Sequence, residues 1–350
     1  MAKKVALIAG VGGMCGGNMA RFLAGKGGWE IVGLSRSTPE LPPGARHIAV
    51  DLLDGKQARE RLGGLGDVTH LYYTALLTGR TPEEENELNN RIMANLLDAV
   101  VPVARNLEHI HVLEGVKWYG YHLGPYKTPA REDDPPCRPR YFYEDQHDMV
   151  LAAQKGRAFT WSTCRPGAVC GYAPAAHINL MCVIAVYATI LKAVGMPLVF
   201  PGDQKTYDAL NFTSDVGLLN RAMLWMSTDP AAANQAFNIG NGDSFRWSFM
   251  WPRIAAMFGM EPGPVKPMVI SEFMADKDAV WADLVRRHNL VPNDFRRLAP
   301  WGYADSVFRR SWDNAISTVK ANNFGFTEMI DTEEMMRRIF AGLRERRIIP

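Results

Sequence analysis

The feature that most constrains the fold is a glycine-rich segment that follows the first apolar run of the chain. Residues 5–9 read Val-Ala-Leu-Ile-Ala, and residues 10–16 then give the spacing GxxGxxG before an amphipathic stretch. Glycines at such a junction permit a tight turn and a close approach of the backbone to a pyrophosphate, and the following helix directs its first N–H groups at the anion. The chain is therefore predicted to begin with a dinucleotide-binding βα unit. The residues assigned to the cofactor in this turn are Gly10, Gly12, Gly13, Met14, Cys15 and Gly16.

Apolar runs rich in β-branched residues alternate with helix-length segments through the first half of the chain. The runs are Val5 to Ala9, Glu30 to Leu34, His47 to Val50, Val68 to Tyr73, His109 to Leu113 and Phe159 to Cys164. Such alternation is typical of βαβ units, which place a parallel sheet between two layers of helices. We predict an α/β, doubly wound Rossmann domain over residues 1–170. Residues 171–350 are expected to form mostly a smaller C-terminal substrate lobe, with residues of about 198–240 returning to the sheet.

The composition favours a cytoplasmic enzyme that acts on a small molecule. Lys+Arg 39 against Asp+Glu 37 leaves a net charge of +2 in 350 residues, and the short run Arg344 to Arg347 is too small to predict a nucleic-acid partner. The five cysteines lack the spacing of a metal site and suit free thiols in a reducing cytosol. The apolar run Ile178 to Leu191 falls short of the roughly 20 residues of a spanning helix and predicts a buried helix. Neither a metal nor a membrane element is expected.

The end of the second predicted strand indicates which dinucleotide is bound. Ser35-Arg36-Ser37 stands where an acidic residue would bind the ribose hydroxyls of NAD, and an arginine between two hydroxyls suits a 2′-phosphate. The predicted cofactor is therefore NADPH, with a solvated loop arginine as the alternative. Asp51 and Leu52 are expected to meet the adenine, although Asp51 could instead cap the next helix. Further cofactor contacts are predicted at Tyr73, Thr74 and Ala75, near the nicotinamide ribose, and at Pro166 and Val169.

Tyr143 and a displaced lysine form the candidate catalytic pair. One helical turn after Tyr143 the chain has His147, whereas the candidate lysine, Lys117, lies far upstream and shortly after a predicted strand. Carbonyl-reducing short-chain dehydrogenases set tyrosine and lysine four residues apart on one helix face, so that the ammonium lowers the pKa of the phenol. The displacement disfavours a nucleotide-sugar epimerase or dehydratase, because those enzymes need Tyr-x-x-x-Lys.

Several segments spread over the chain carry a resemblance to a known family. They are Gly10 to Gly16, Ser35-Arg36, Glu114 to Gly120 around Lys117, His122 to Tyr126, Phe142-Tyr143, Arg165 to Gly167, Ala236 to Asn238 and Asn289 to Pro292. Together they resemble the progesterone 5β-reductase/iridoid synthase-like (PRISE) family of extended short-chain dehydrogenases/reductases. The resemblance covers nearly the whole chain, and the displaced lysine with a Phe-Tyr motif is specific to this branch.

The resemblance implies NADPH-dependent reduction of the C=C bond of a small, apolar α,β-unsaturated carbonyl, an enone. In that family hydride passes to the β-carbon and leaves an enolate. By motif match, Tyr143 would donate a hydrogen bond to the enolate oxygen and Lys117 would support it. Elementary chemistry agrees, because a phenol and an ammonium aimed at one oxygen stabilise the charge that develops there. A carbonyl reductase and a non-catalytic NADPH-sensing regulator stay open as alternatives.

The loop after Lys117 is dense in aromatic side chains and is expected to form a wall for a flat substrate. The substrate-binding residues predicted there are Trp118, Tyr121 and Tyr126, with packing of the lobe as the alternative. Glu144, which departs from the family pattern, is expected to be a solvated acid at a helix start, with a proton relay as the alternative. Residues 82–103 and 143–154 could form a homodimer contact, although a monomer is equally compatible with the sequence.

Overall fold

The computed structural model describes residues 3–173, 176 and 178–350. Its strands are β1 (Lys4–Ala9), β2 (Trp29–Ser35), β3 (Arg46–Ala49), β4 (His70–Tyr73), β5 (His109–Leu113), β6 (Thr160–Pro166), β7 (Ala168–Cys170), β8 (Leu198–Phe200), β9 (Leu210–Asn211), β10 (Thr213–Asp215), β11 (Gln235–Ile239), β12 (Phe245–Arg246) and β13 (Pro262–Val265). Its α-helices are α1 (Met14–Lys26), α2 (Gly55–Leu62), α3 (Pro82–Val100), α4 (Phe142–Gln154), α5 (Leu180–Ala193), α6 (Gln204–Asp208), α7 (Val216–Thr228), α8 (Trp247–Met257), α9 (Ile270–Phe273), α10 (Asp278–Arg287), α11 (Phe295–Leu298), α12 (Trp301–Val307), α13 (Val319–Asn323) and α14 (Thr332–Glu345). Short 3-10 helices cover Val116–Tyr119 and Pro230–Ala232.

A seven-stranded sheet in the order β11-β6-β5-β4-β1-β2-β3 organises the first two-thirds of the chain. All of its neighbouring strands pair in parallel. The strand order reverses at β1, so β2 and β3 extend to one side and β4, β5, β6 and β11 to the other. The prediction of a doubly wound parallel sheet is confirmed. The carboxyl ends of the strands meet at one edge, and ligands of such sheets bind outside that edge where the order reverses.

Helices cover both faces of the sheet because successive strand residues point to opposite sides. On β1, Leu7 belongs to a cluster with Ile92 and Leu96 of α3, whereas Ile8 joins a second cluster with Met19 of α1 and Leu219 of α7. Both strand residues are fully buried. From Val5 to Ala9 the first strand is therefore apolar and buried, as expected for a central strand that is covered on both faces.

The helix predicted from Pro82 to Val103 begins where expected and ends at Val100. Its start is encoded locally: the Thr81 side chain accepts a hydrogen bond from the Glu84 N–H, and Pro82 occupies the first turn. The helix predicted to begin near Tyr143 starts at Phe142. These two helices, α3 and α4, lie side by side and carry side chains to the carboxyl edge of the sheet.

The C-terminal part of the chain has its own apolar core around α5. All residues of α5 from Leu180 to Leu191 are buried, and they pack in one cluster with Phe200, Trp247, Trp251 and Phe340. The apolar run in this region is thus a core helix. Within residues 3–173, 176 and 178–350, no helix is both long and apolar enough to cross a membrane.

Candidate active site

The glycine turn after β1 approaches its neighbours so closely that side chains cannot replace its hydrogens. Gly10 has a φ of +85°, and a Cβ there would lie 2.8 Å from the Ala75 backbone. A Cβ on Gly16 would lie 2.5 Å from the Gly10 carbonyl oxygen. Gly13 precedes α1 and no side chain caps that helix, so its first N–H groups are free of a side-chain acceptor. A turn of this kind fits a pyrophosphate at the helix start.

Two other predicted residues, Met14 and Cys15, open α1 itself. The Met14 side chain is buried and the Cys15 side chain is half-buried. Burial raises the pKa of the Cys15 thiol to about 12, so the thiol is uncharged near neutral pH. An anion at the helix start would meet no negative sulfur there.

At the end of β2, Ser35 anchors the loop that carries Arg36. The Ser35 hydroxyl lies 2.7 Å from the Ser37 carbonyl oxygen, to which it donates, and 2.9 Å from Nε2 of His47 on β3. Arg36 and Ser37 are exposed. Among the residues that the structure describes, no carboxylate lies within 4.0 Å of the Arg36 guanidinium. The loop therefore presents an unneutralised cation at the carboxyl edge of the sheet.

Asp51 does not cap the helix that follows it. Asp54 is the cap of α2 and accepts hydrogen bonds from the N–H groups of Lys56 and Gln57, whereas Asp51 accepts from the Leu53 N–H at 3.0 Å. The capping alternative for Asp51 is therefore wrong. Leu52 is buried in the core, so only its backbone is available to a ligand.

The residues predicted beside the nicotinamide ribose differ in what they offer. Tyr73 is 1% exposed, and its hydroxyl accepts a hydrogen bond from Gln146 of α4. The Thr74 hydroxyl donates to the Ala9 carbonyl at 2.7 Å. Ala75 faces the backbone of Gly10. The Tyr73 ring is thus part of the protein core, and the Thr74 hydroxyl is already bonded. Pro166 ends β6 at the carboxyl edge of the sheet, and Val169 lies just beyond it in β7, which pairs with β10 in a separate two-stranded sheet.

Lys117 is held by two residues that the sequence did not indicate. Its ammonium donates to Oε1 of Glu85 at 3.0 Å and to the Tyr141 hydroxyl at 2.8 Å, and that hydroxyl donates to Glu85 at 2.5 Å. Burial raises the pKa of Glu85, but the Tyr141 hydroxyl and the Lys117 ammonium outweigh it and leave the pKa below its usual range. The three groups form a closed ring of charge-assisted hydrogen bonds.

Tyr143 lies beside the hydrogen-bonded group of Lys117, Glu85 and Tyr141, and its hydroxyl points at the backbone after β5. A Cβ placed on Gly115 would come within 3.3 Å of the Tyr143 hydroxyl. The Tyr141 ring stands between Lys117 and Tyr143: it meets Tyr143 edge-on, with 5.0 Å between ring centres, and lies 5.0 Å from the Lys117 ammonium. Burial, followed by the charge of Glu114, raises the pKa of Tyr143. The phenol is therefore a hydrogen-bond donor and not a base at neutral pH.

A second ionic cluster lies behind Tyr143 and is almost fully buried. Oε2 of Glu114 accepts a hydrogen bond from Arg165 Nε at 2.7 Å, and the side chains are 0% and 2% exposed. His147, one turn after Tyr143, has its Nδ1 3.4 Å from the other Glu114 oxygen. The Arg165 guanidinium also stacks 3.7 Å from the centre of the Trp118 ring. His147 thus occupies the position of the usual lysine but faces a buried carboxylate.

The aromatic loop after Lys117 divides into buried and half-buried members. Trp118 is 8% exposed, with Arg165 over its face and His147 at its edge, so it offers little surface to a ligand. Tyr121 and Tyr126 are half-buried and pack with Tyr143 in one apolar cluster. Of the three predicted wall residues, Tyr121 and Tyr126 retain surface for a substrate.

Glu144 is not the solvated acid that the sequence predicts, because it is largely buried and forms two ion pairs. It lies in the first turn of α4, as predicted, but it pairs with Arg138 at 2.9 Å and with Arg140 at 3.1 Å and is 15% exposed. Two arginines therefore neutralise its charge. His122 is uncharged near neutral pH, because burial, Lys117 and Arg310 lower its pKa to about 4.

The parallel sheet, the glycine turn at its point of reversal and the tyrosine at the start of α4 define the fold of the extended short-chain dehydrogenases/reductases. Residues 48–350 match the PRISE-like Rossmann-fold domain family. The chain belongs to this family, which confirms the resemblance seen in its motifs.

Relatives that span nearly the whole chain agree with this family. The chain is 32% identical over 366 residues to the (S)-8-oxocitronellyl enol synthase of Antirrhinum majus, covering 99% of this chain and 93% of the relative. It is 33% identical over 326 residues to the 3-oxo-Delta(4,5)-steroid 5-beta-reductase of Arabidopsis thaliana, covering 87% and 83%.

Solved structures with the same fold are more distant in sequence. A UDP-glucose 4-epimerase of Thermotoga maritima superposes with a TM-score of 0.71 at 15% identity, over 97% of this chain and 99% of the other. A UDP-glucose 4-epimerase of Thermus thermophilus, in complex with NAD, gives a TM-score of 0.68 at 18% identity, over 97% and 99%. At these identities the likeness establishes the fold.

Proposed function

We propose that the protein is an NADPH-dependent oxidoreductase that reduces the C=C bond of small α,β-unsaturated carbonyl compounds. The observation that carries the proposal is that a protonated phenol, Tyr143, and an ammonium, Lys117, both lie next to the Tyr141 ring at the carboxyl edge of the parallel sheet. The steroid named for the Arabidopsis relative, with a 3-oxo group conjugated to a Delta(4,5) double bond, is an enone that is reduced at its β-carbon. The relatives are thus consistent with the chemistry of the site.

The cofactor is proposed from the glycine turn and from Arg36. The close contacts of Gly10 and Gly16 leave the space before α1 to a pyrophosphate, and Arg36 is an exposed cation that can pair with a 2′-phosphate. When bound, the nicotinamide supplies a hydride. Arg36→Asp is expected to shift the preference towards NADH, because a carboxylate repels the phosphate and accepts ribose hydroxyls. An unchanged ratio of NADPH to NADH turnover in this variant would contradict the role of Arg36.

The chain's own residues act on the carbonyl oxygen, where negative charge develops during reduction at the β-carbon. Tyr143 donates a hydrogen bond to that oxygen. An ammonium has three N–H groups, and the hydrogen bonds of Lys117 to Glu85 and Tyr141 use two, which leaves one for the same oxygen. Because the final proton goes to carbon, the phenol need not be reprotonated through a lysine on its own helix.

The proposal is tested by following NADPH absorbance with a panel of small enones and the matching saturated ketones. Tyr143→Phe and Lys117→Ala are each expected to lower kcat for enones by roughly 10² to 10³, the usual loss for one oxyanion donor. NADPH binding, measured by fluorescence titration, should be retained. Lys127→Ala is the matched control, because Lys127 pairs with Asp134 at the surface.

The outcomes separate the candidate functions. Turnover of enones alone supports the proposal, whereas turnover of saturated ketones indicates a carbonyl reductase. NADPH binding without turnover of any substrate indicates a sensor. Unchanged enone turnover in both Tyr143→Phe and Lys117→Ala would contradict the assignment of Tyr143 and Lys117 as the donors to the carbonyl oxygen.

A further inference from the structure

Arg310 is a half-buried cation that lacks a carboxylate partner. Its guanidinium lies 4.4 Å from the centre of the Tyr121 ring, and Nη2 donates to the Ser306 hydroxyl at 2.8 Å. Among residues 3–173, 176 and 178–350, no carboxylate oxygen lies within 4.0 Å of it. The nearby Asp305 is already engaged, since its oxygens accept from the Ile270 N–H and the Ser271 hydroxyl.

The segment that carries Arg310 borders the candidate substrate wall. Trp312 Nε1 donates to the Tyr121 carbonyl at 3.2 Å, and the Tyr126 hydroxyl donates to Asn314 at 2.6 Å. Tyr121 and Tyr126 in turn share the apolar cluster of Tyr143. Arg310 therefore stands at the same aromatic wall as the candidate catalytic phenol, beyond Tyr121.

The charges around this wall are unbalanced. Lys117 is neutralised by Glu85, and its ring of hydrogen bonds reaches the wall through Tyr141, whose ring centre lies 4.7 Å from that of His122. After burial, the charges of Lys117 and Arg310 lower the pKa of the His122 imidazole, which is therefore uncharged near neutral pH. Of the two cations that flank His122, Arg310 is the one without a counter-ion among the described residues.

A guanidinium that is half removed from water and held over an aromatic ring is preorganised to bind a carboxylate through two hydrogen bonds. We infer that the physiological substrate is an anionic enone, with a carboxylate that Arg310 binds at the end remote from the carbonyl oxygen. This inference rests on the proposed enone reduction and adds the charge of the substrate to it. Tyr121 keeps the guanidinium in place. The apolar cluster that contains Tyr121, Tyr126 and Tyr143 receives the carbon skeleton between the carboxylate and the carbonyl group of the substrate.

The test compares aliphatic methyl enones that end in a carboxylate, in a range of spacer lengths, with the methyl esters of the same compounds. For the best spacer, the wild-type enzyme should show a KM for the acid roughly 10- to 100-fold below that for the ester, the usual range for a charge-assisted contact. Arg310→Gln should abolish this difference, and Arg310→Lys should retain part of it. Arg309→Gln, at an exposed neighbouring position, is the control that should behave as wild type.

Equal KM values for acid and ester over all spacers in the wild-type enzyme would overturn the inference, as would an unchanged preference for the acid in Arg310→Gln. If no enone is turned over, the proposed function fails. The inference is then decided by calorimetric binding of the carboxylate compound to the NADP+ complex, in wild type against Arg310→Gln. Tighter binding of at least about 10-fold in the wild type supports the anion site, and equal binding contradicts it.

Discussion

Two ion pairs lie close together at the carboxyl end of β5, but they differ in their exposure to solvent. Glu114 and Arg165 are 0% and 2% exposed and lie 2.7 Å apart. Lys117 and Glu85 are 34% and 16% exposed and lie 3.0 Å apart. Only three positions separate Glu114 from Lys117 along the chain. The two pairs thus allow the same interaction to be compared in two environments on either side of Tyr143.

The difference in exposure indicates different roles. Two charges removed from water must remain paired, because the loss of one partner leaves the other without compensation. The Glu114–Arg165 pair is therefore expected to fix the structure behind Tyr143. A pair that water reaches contributes little stability but leaves its ammonium accessible to a ligand. The Lys117–Glu85 pair is suited to chemistry for that reason.

The largest effect is expected when Arg165 is replaced. Arg165→Met leaves the Glu114 carboxylate buried without its partner and should lower the free energy of unfolding by about 3–5 kcal/mol. Lys117→Met, the matched change in the other pair, should cost at most about 1 kcal/mol. Urea unfolding at pH 7 measures both. Similar losses in the two variants would show that burial does not distinguish the pairs.

A smaller effect should appear on acidification, because uncharged histidines lie in the buried part of the sheet. Burial lowers the pKa of His111 from 6.5 to about 3, and burial followed by the charge of Lys4 lowers that of His70 from 6.5 to about 4. The unfolded chain then binds more protons than the folded one between pH 6.5 and pH 4, so stability falls as the pH falls through this window. Each histidine should contribute about 2 kcal/mol to the loss between pH 7 and pH 5.

The matched measurement is urea unfolding at pH 7 and pH 5 in wild type and His111→Gln. The variant should lose about 2 kcal/mol less than wild type between the two pH values. The Lys117–Glu85 pair should contribute little between pH 7 and pH 5, because the pKa of Glu85 is lowered from 4.5 and the stability that this supplies is lost only as the pH falls below that value. An equal pH-dependent loss in wild type and variant would contradict the assignment of this effect to His111.

The fold was predictable because its signals are local. The apolar strand β1, the glycines of the turn after it and the Thr81-Pro82 start of α3 each encode their structure within a few residues. The end of α3 at Val100 also has a local signal, Pro102, which the predicted end at Val103 overlooked because apolar residues continue on both sides of the proline. The family motif likewise depends on short segments that can be compared residue by residue.

The environment of the catalytic candidates was not predictable in this way. Glu85 lies in the first turn of α3 and was interpreted only as a residue that suits a helix start, whereas it binds Lys117 from a different element. Tyr141 precedes the Phe-Tyr motif without belonging to it. The partner of Glu114 is Arg165, a charged residue within a buried strand whose neighbours gave no sign of it. Such contacts join residues that are distant in sequence, and no periodicity in the sequence indicates them.

The smallest change in stability, with a clear effect on turnover, is expected for Glu85→Gln. The variant removes the carboxylate that holds both the Lys117 ammonium and the Tyr141 hydroxyl, so the free energy of unfolding should change by less than about 1 kcal/mol. The kcat for enones should fall on the order of 10-fold, because the ammonium is no longer held in position. Glu84→Gln is the matched control, since Glu84 occupies the adjacent position of the same helix and pairs with the exposed Arg80, which precedes the helix. Equal kcat values in the two variants would show that the Glu85 pair is only a surface contact, and the distinction between the two ion pairs would then be one of stability alone.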